Sequence, residues 1–369
     1  MTGGMRRTLA AAARRQGLEL IGVTTAAPAV DDRRRMEGAV AAGRMARMGW
    51  MGGDRAAVAT DPARNDPSAR SVIVVAAPYA GSERAGWDPD PDALRRALDP
   101  VFSAAAGHDE PLGQVARYAN GGDYHRGLRS RLEALAADLR EHGLPAGSTA
   151  FVDDRPLAER AFAARAGIGW IGKNTNLLTH QRSGSWVLIG ALLSSVDIEP
   201  DEPLRTTCGG CTRCIAGCPT GAIVGPRTID AGRCISYLTI EHPGAFRAEE
   251  ARAIGSWIFG CDVCQEVCPV NAEADDPGAL RVPLLSLVEW LGPIGTRAFT
   301  RALGGTALTR AGRHRLLRNA LAAIANAARP DAQWAARAEV LVRGVIADRR
   351  VEVATEARRT LAALTAARP

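Results

Sequence analysis

Lysine is all but missing from this chain: of 46 basic residues, every one except Lys173 is arginine. The bias reads as genomic composition. It also leaves two readings of Lys173, chance or a site that wants a compact ammonium and not a planar guanidinium. No apolar run reaches membrane-spanning length, which predicts a soluble protein without a membrane partner. The opening Met1-Thr-Gly-Gly-Met-Arg-Arg leads into an Ala/Arg-rich helical segment with no apolar signal core, so export is not expected. Cysteine is absent outside Cys208–Cys268. In a chain of 369 residues, thiols gathered in one window do not read as a secreted disulfide scaffold. The expected compartment is reducing, the cytoplasm.

What the window holds is specific. It reads Cys208-x2-Cys211-x2-Cys214-x3-Cys218-Pro219, then Cys234, then Cys261-x2-Cys264-x3-Cys268-Pro269. The first run has the spacing of a bacterial two-cluster ferredoxin, in which the cysteine before proline reaches the other cluster. That rule assigns Cys208, Cys211, Cys214 and Cys268 to one [4Fe–4S] cluster. Cys218, Cys234, Cys261 and Cys264 then hold a second, and no cysteine is left over. Zinc knuckles are paired C-x2-C units; a third cysteine at the same spacing and two Cys-Pro endings do not fit them.

The organisation predicts an α+β protein of three parts. Residues 1–200 form an α/β-type catalytic domain, 201–278 a two-cluster ferredoxin-like module with an insertion at 235–260, and 279–369 an all-helical domain. In the first part, Arg70–Pro78, Thr149–Asp153 and Ser185–Ser195 read as strands. Leu128, Leu132, Leu135 and Leu139 share one face of a helix over about 123–142. A second helix runs to about Ala166, and Gly167–Asn176 is a glycine-rich loop following close on something bulky. Asp197–Pro203 reads as a linker and Gly81–Gly113 as a long loop. The C-terminal helices, Arg313–Asn326, Asp331–Ile346 and Val351–Thr365, resemble one to two helix pairs of the HEAT type.

From Arg310 onward there are twelve arginines against five acidic residues. This suits a polyanion such as nucleic acid, or equally a solvated helical surface in an arginine-biased chain. Gly167-x-Gly169-x-x-Gly172 follows a helix and not a strand, so it is no dinucleotide fingerprint. Asp123-Tyr-His125-Arg-Gly127 misses the D-x-H-x-x-G pattern of histidine-ligated cobalamin because position 128 is Leu. His125 then reads as a structural histidine at a helix start. The split second cysteine run, with 26 residues between Cys234 and Cys261, and the long preceding region point beyond a simple carrier to an enzyme with a fused electron supply.

Several segments carry a resemblance. Gly122-Asp-Tyr-His125, Val152-Asp153, Glu159-Arg-Ala161, Arg165-Ala-Gly-Ile-Gly-Trp-Ile-Gly-Lys-Asn-Thr175, Cys234-Ile-Ser-Tyr-Leu-Thr239, Gly260-Cys-Asp-Val-Cys-Gln-Glu-Val-Cys-Pro-Val-Asn271 and Arg318-Asn-Ala-Leu321 resemble the epoxyqueuosine reductase family. The family is distantly related to reductive dehalogenases. The resemblance implies reduction of epoxyqueuosine at the tRNA wobble position to queuosine, with cobalamin, two [4Fe–4S] clusters and a low-potential electron donor, in a monomer.

It also implies a proton donor at Asp153, kept protonated by desolvation in an apolar pocket. The bland reading of Asp153 is a helix cap; Asp154 is expected to cap instead. Arg155 departs from the family pattern and would lower the acid's pKa unless it points away. Leu177, Ile189, Ile235 and the turn Cys261-Asp262-Val263-Cys264 are the implied cobalamin contacts, each aliphatic otherwise being ordinary core. Trp170 and Trp186 are open to the same two readings. His242, Arg247, Arg313, Arg315, Arg318 and Asn319 are the implied tRNA contacts. The competing enzyme reading is a corrinoid and iron–sulfur reductase acting on a small molecule such as an organohalide; a plain electron carrier leaves the first 200 residues without a purpose.

Overall fold

The computed structural model describes residues 2–80, 87–88, 90–144, 146–180, 182–327 and 332–366. The chain divides into two units, neither continuous in sequence: Met1–Asp90, Asp123–Ala231 and Val263–Pro277 make the first, and Pro91–Gly122, Gly232–Asp262 and Gly278–Pro369 the second. Residues 201–231 and 263–277 group with the first unit and residues 232–262 with the second.

The first unit is built on a four-stranded sheet in the order Leu20–Thr25, Ser71–Pro78, Val187–Ser194, Ala146–Phe151. Each neighbouring pair is antiparallel, so the expected α/β-type layout gives way to α+β. Ser71–Pro78 is buried at every position, as its Val-Ile-Val-Val run requires of a strand covered on both faces. Helix Tyr124–Glu141 covers one face with Leu128, Leu132, Leu135 and Leu139, all buried. Gly190 permits that contact, since a Cβ there would lie 2.6 Å from Leu132. Helix Glu159–Arg165 covers the other face over Gly22, where a Cβ would meet the Ala166 carbonyl at 2.4 Å. Truncating one of the four leucines to alanine should cost about 2–5 kcal/mol.

The supposed linker is tied down. Asp201 exchanges backbone and side-chain bonds with Val23, its amide donating at 2.9 Å and its carboxylate accepting at 2.8 Å. The Ile198 amide donates to the Ser71 hydroxyl at 2.9 Å.

In the second unit, strand Leu112–Val115 lies between Trp257–Phe259, which it pairs in parallel, and Leu280–Pro283, which it pairs antiparallel. Helices Leu284–Leu291, Thr296–Leu303, Gly312–Asn326, Ala332–Gly344 and Val351–Ala366 follow. The unit's apolar core runs through Gly312–Asn326, every residue of which from Leu316 to Ile324 is buried. One expectation changes here. The supposed loop at 81–113 carries helices Ala93–Ala97 and Asp99–Ala104 and a central strand, while 81–86 and 89 lie outside the described residues, as does Asp331. The last residues of the insertion 235–260 form an edge of this unit's sheet.

Candidate functional site

In the first unit a small hairpin joins the glycine-rich segment to the cysteine turns. Trp170–Ile171 pairs with Leu177–Leu178, and Gly169 and Gly172 sit so close to the returning strand that a Cβ would fall 2.2 Å from the Leu178 carbonyl or 2.6 Å from Asn174. The bulk expected beside these glycines is thus the chain's own return. At the hairpin tip Thr175 is left-handed (φ +69°), an outlier for a β-branched residue. The Arg160 guanidinium donates to its carbonyl at 2.8 Å.

The tip reaches two cysteine turns. The Lys173 ammonium donates to the carbonyls of Gly209 and Cys211, each at 2.8 Å. The Asn174 amide donates to the Cys264 carbonyl at 3.2 Å, and the Asn176 amide approaches the Cys264 Sγ at 3.9 Å.

Cys208, Cys211, Cys214 and Cys268 are brought together. Burial pushes the Cys214 thiol up, and neighbouring Cys268 and Cys208 add like-charge repulsion. Cys268 is likewise raised, first by burial and further by Cys208 and Cys211. Among the described residues no three His, Cys, Asp or Glu side chains are drawn in to single-ion distance. Of the second set, Cys218 and Cys264 lie in the first unit, and Cys234 and Cys261 in the second. Burial works to raise the Cys218 thiol, but backbone amides and the Thr220 hydroxyl outweigh it and bring it down; the Ala222 amide donates to its Sγ at 3.2 Å.

A second feature of the first unit lies where strand Ala146–Phe151 ends. Phe151 pairs with Ala191, so the chain leaves the sheet near the level of Ile189. Asp153 turns left-handed there (φ +57°), a conformation that aspartate tolerates better than most residues. Its amide donates to Glu159 Oε1 at 3.0 Å, and the Tyr124 hydroxyl donates to its Oδ2 at 3.1 Å. Tyr124 stacks on His125, whose Nδ1 lies 2.8 Å from Asp123, the cap of that helix.

One detail is corrected. Helix Glu159–Arg165 has no side-chain cap; Asp154 accepts the Val152 amide at 3.3 Å and pairs with Arg129. Asp153 is exposed, and burial pushes Glu159 up to about 7, with the Asp153 charge adding to the rise. Arg155 is exposed. Sequence reasoning placed Glu159 within a motif and gave it no role, because nothing local says that its carboxyl returns to the Asp153 amide.

The implied cobalamin contacts fare unequally. Ile189 is half-buried, as are Val187 and Leu188, although their strand runs between two others. Trp170 is buried with its indole N–H unpartnered among the described residues. Leu177 is packed in the first unit's own core, and Trp186 is buried and edge-on to Tyr79. Val263 opens the short helix Val263–Glu266 that carries Cys264. In the second unit Ile235 is buried. Asp262 is buried too, accepting the Arg117 amide at 2.7 Å and its guanidinium at 3.3 Å, so its carboxylate serves the fold.

The tRNA candidates all lie in the second unit. Arg318 and Asn319 are fully buried. Arg318 donates to the carbonyls of Leu238 at 2.7 Å and His242 at 2.9 Å, and bonds Gly244 as well, while lying over the Phe246 ring. Asn319 donates to the Thr239 and Ile258 carbonyls, each at 2.8 Å. Both hold the insertion from inside, which corrects their assignment to phosphate. Arg313 bonds the Leu291 and Gly292 carbonyls and pairs with Asp348 at 3.0 Å. Arg315 donates to the Ala311 carbonyl at 3.2 Å. His242 stacks on Phe246. Arg247 alone of these is well exposed, at 67%, and pairs with Glu249 and Glu250.

Comparison with known proteins adds an independent line. Residues 60–154 match the family described as Epoxyqueuosine reductase QueG, DUF1730. Residues 207–271 match the 4Fe-4S double cluster binding domain. The epoxyqueuosine reductase of Xanthomonas campestris is 43% identical over 229 residues, covering 60% of this chain and 63% of that protein. That of Escherichia coli K12 is 40% identical over 225 residues, 58% of each. The alignments thus span about three-fifths of the curated relatives' length. Among solved structures, the Bacillus subtilis epoxyqueuosine reductase, with an aspartate-bearing catalytic loop swung out of its active site, has a TM-score of 0.80 at 27% identity, covering 99% of this chain and 91% of that one. An epoxyqueuosine reductase with an epoxyqueuosine-modified tRNA-Tyr stem-loop gives 0.80 at 28% identity, with the same coverage.

Proposed function

We propose that this chain, similar to epoxyqueuosine reductases in motif, sequence and fold, reduces the epoxide of epoxyqueuosine in a tRNA anticodon stem-loop to the alkene of queuosine. The observation that carries the reading is Asp153, held left-handed at a strand end between the Tyr124 hydroxyl and Glu159, beside a strand whose apolar residues stay half-open. A related enzyme has an aspartate on its catalytic loop, and another was solved with the modified stem-loop.

Converting the epoxide to an alkene takes two electrons and two protons and releases water. When bound, two [4Fe–4S] clusters supply single electrons from a low-potential donor and cobalamin supplies low-valent cobalt able to attack or reduce the epoxide carbon. Cys208, Cys211, Cys214 and Cys268 would hold one cluster, and Cys218, Cys234, Cys261 and Cys264 the other. Ile189, the neighbouring half-buried Val187 and Leu188, and the Trp170 N–H would face the corrin; Ile235 and the Cys261–Cys264 turn remain part of this proposal through their backbone.

The chain's own chemistry centres on one proton. The Asp153 carboxyl gives it to the oxygen leaving carbon, so that no free alkoxide has to form. The Tyr124 hydroxyl orients the carboxyl, and Glu159 fixes the backbone turn that presents it. Arg247 and His242 are proposed to meet the RNA, and the C-terminal helices to act as a HEAT-like support. The protein is proposed to work as a cytoplasmic monomer.

The test is turnover. Anaerobically prepared protein with cobalamin and a strong reductant is given tRNA from a strain lacking the activity, and nucleosides are then analysed. Conversion of epoxyqueuosine to queuosine is expected. Asp153→Asn should keep its iron and fold and lose about 10²–10⁴-fold in rate. Undiminished turnover in that variant would remove Asp153 as the donor.

A further inference from the structure

Lys173 is the only lysine of the chain, and its ammonium bridges two carbonyls, Gly209 and Cys211, inside the first cysteine turn. Its own backbone is pinned as well: its carbonyl accepts the Arg227 amide at 3.0 Å, and Gly172 and Asn176 close the tip beneath it at 2.9 Å. The same tip meets the other cysteine turn through the neutral amides of Asn174 and Asn176. The charged side chain of this tip is thus directed to one ligand set.

We propose that Lys173 sets the reduction potential of the cluster held by Cys208, Cys211, Cys214 and Cys268, favouring its reduced state and so separating its potential from that of the second cluster. The inference rests on the cluster assignment above. Four thiolates make such a centre anionic, and reduction adds one more negative charge. A fixed cation a few ångströms away stabilises the more negative state more strongly. Hydrogen bonds and net charge around the sulfurs are the recognised means by which a protein moves these potentials. A guanidinium would be a poor substitute. Its charge is spread over a planar fork, whereas an ammonium sits as a point charge between two carbonyls. Lys173 touches backbone and not iron or sulfur, so it is a positioning and electrostatic residue.

The absence of any other lysine makes the test clean. Among the amines, acetic anhydride on the assembled, anaerobic protein neutralises Lys173 and the α-amine, hydroxylamine then reverses any tyrosine acetylation, and reductive methylation of the same material keeps both amine charges. Acetylated Lys173→Arg protein controls for the α-amine. Potentiometric titration followed by electron paramagnetic resonance then reads each cluster, alongside Lys173→Gln.

Acetylation and Lys173→Gln should each lower the reduced fraction of one cluster about tenfold at fixed applied potential, or ~59 mV for a one-electron couple. The second cluster should stay in place, and methylation should leave both potentials near the starting values. Equal shifts in both clusters, no shift after full acetylation, or the same shift after methylation would each overturn the proposal. Because the modification follows assembly, failure of Lys173→Gln to load iron leaves the acetylation result decisive. Wild-type protein without eight irons per chain would instead overturn the cluster reading beneath it.

Discussion

Lys173 and Arg318 do the same job in different surroundings. Each is a cation that gathers backbone carbonyls of a distant segment: Gly209 and Cys211 for the lysine, Leu238, His242 and Gly244 for the arginine. Arg318 is fully buried, and burial pushes its guanidinium down to about 9, still protonated at neutral pH. Lys173 is half-exposed beside thiols. A planar fork with five donors can satisfy a buried ring of carbonyls, while a compact ammonium suits a two-carbonyl site next to concentrated negative charge. The first cation holds the second unit together. The second bears on the redox chemistry.

Breaking Arg318 should have the largest effect on stability. Arg318→Met leaves three carbonyls and Asn319 without their partner and should cost about 3–5 kcal/mol, measured by denaturant unfolding. The salt dependence of tRNA binding by the folded variant sharpens the point. Its slope should stay as in the parent protein, whereas removing a cation that binds phosphate would lower the slope by about one.

Lys173→Gln should cost about 1 kcal/mol in the metal-free protein, the scale of a net hydrogen bond, and a loss as large as that of Arg318→Met would erase the contrast.

Glu159→Gln is read by pH. Glu159 is raised from its usual carboxyl range to about 7 in the folded state, so the folded protein holds its proton more tightly than the unfolded chain does. That contribution to stability is full below about pH 4.5 and fades as pH rises through 7. The variant should flatten this part of the stability profile, and an unchanged profile would show that Glu159 does not titrate this way.

Arg247→Ala should be the mildest, within about 0.5 kcal/mol in stability, since its ion pairs are exposed; its effect belongs in the salt slope of tRNA binding.

Much of the molecule was legible in the chain. The two-cluster module was legible from cysteine spacing, because two- and three-residue gaps set how neighbouring thiolates are presented. The buried strand at 71–78 followed from a continuous β-branched apolar run, and the leucine face of 124–141 from a period of 3.6. The antiparallel sheet did not, because strand direction depends on partners far along the chain. Arg318 and Asn319 were misjudged as surface groups: composition counts a charge but does not say whether carbonyls 60 or more residues away surround it.

From the order of amino acids alone came the cysteine runs, the aspartate at the strand end and the oddity of one lysine among arginines, since each is a matter of residue type and short spacing. Tertiary structure decided what surrounds them: that Asp153 turns left-handed under a bond from Glu159, that burial falls on Glu159 instead, and that the ammonium of Lys173 lands on Gly209 and Cys211. Burial and long-range hydrogen bonds exist only once distant segments have packed.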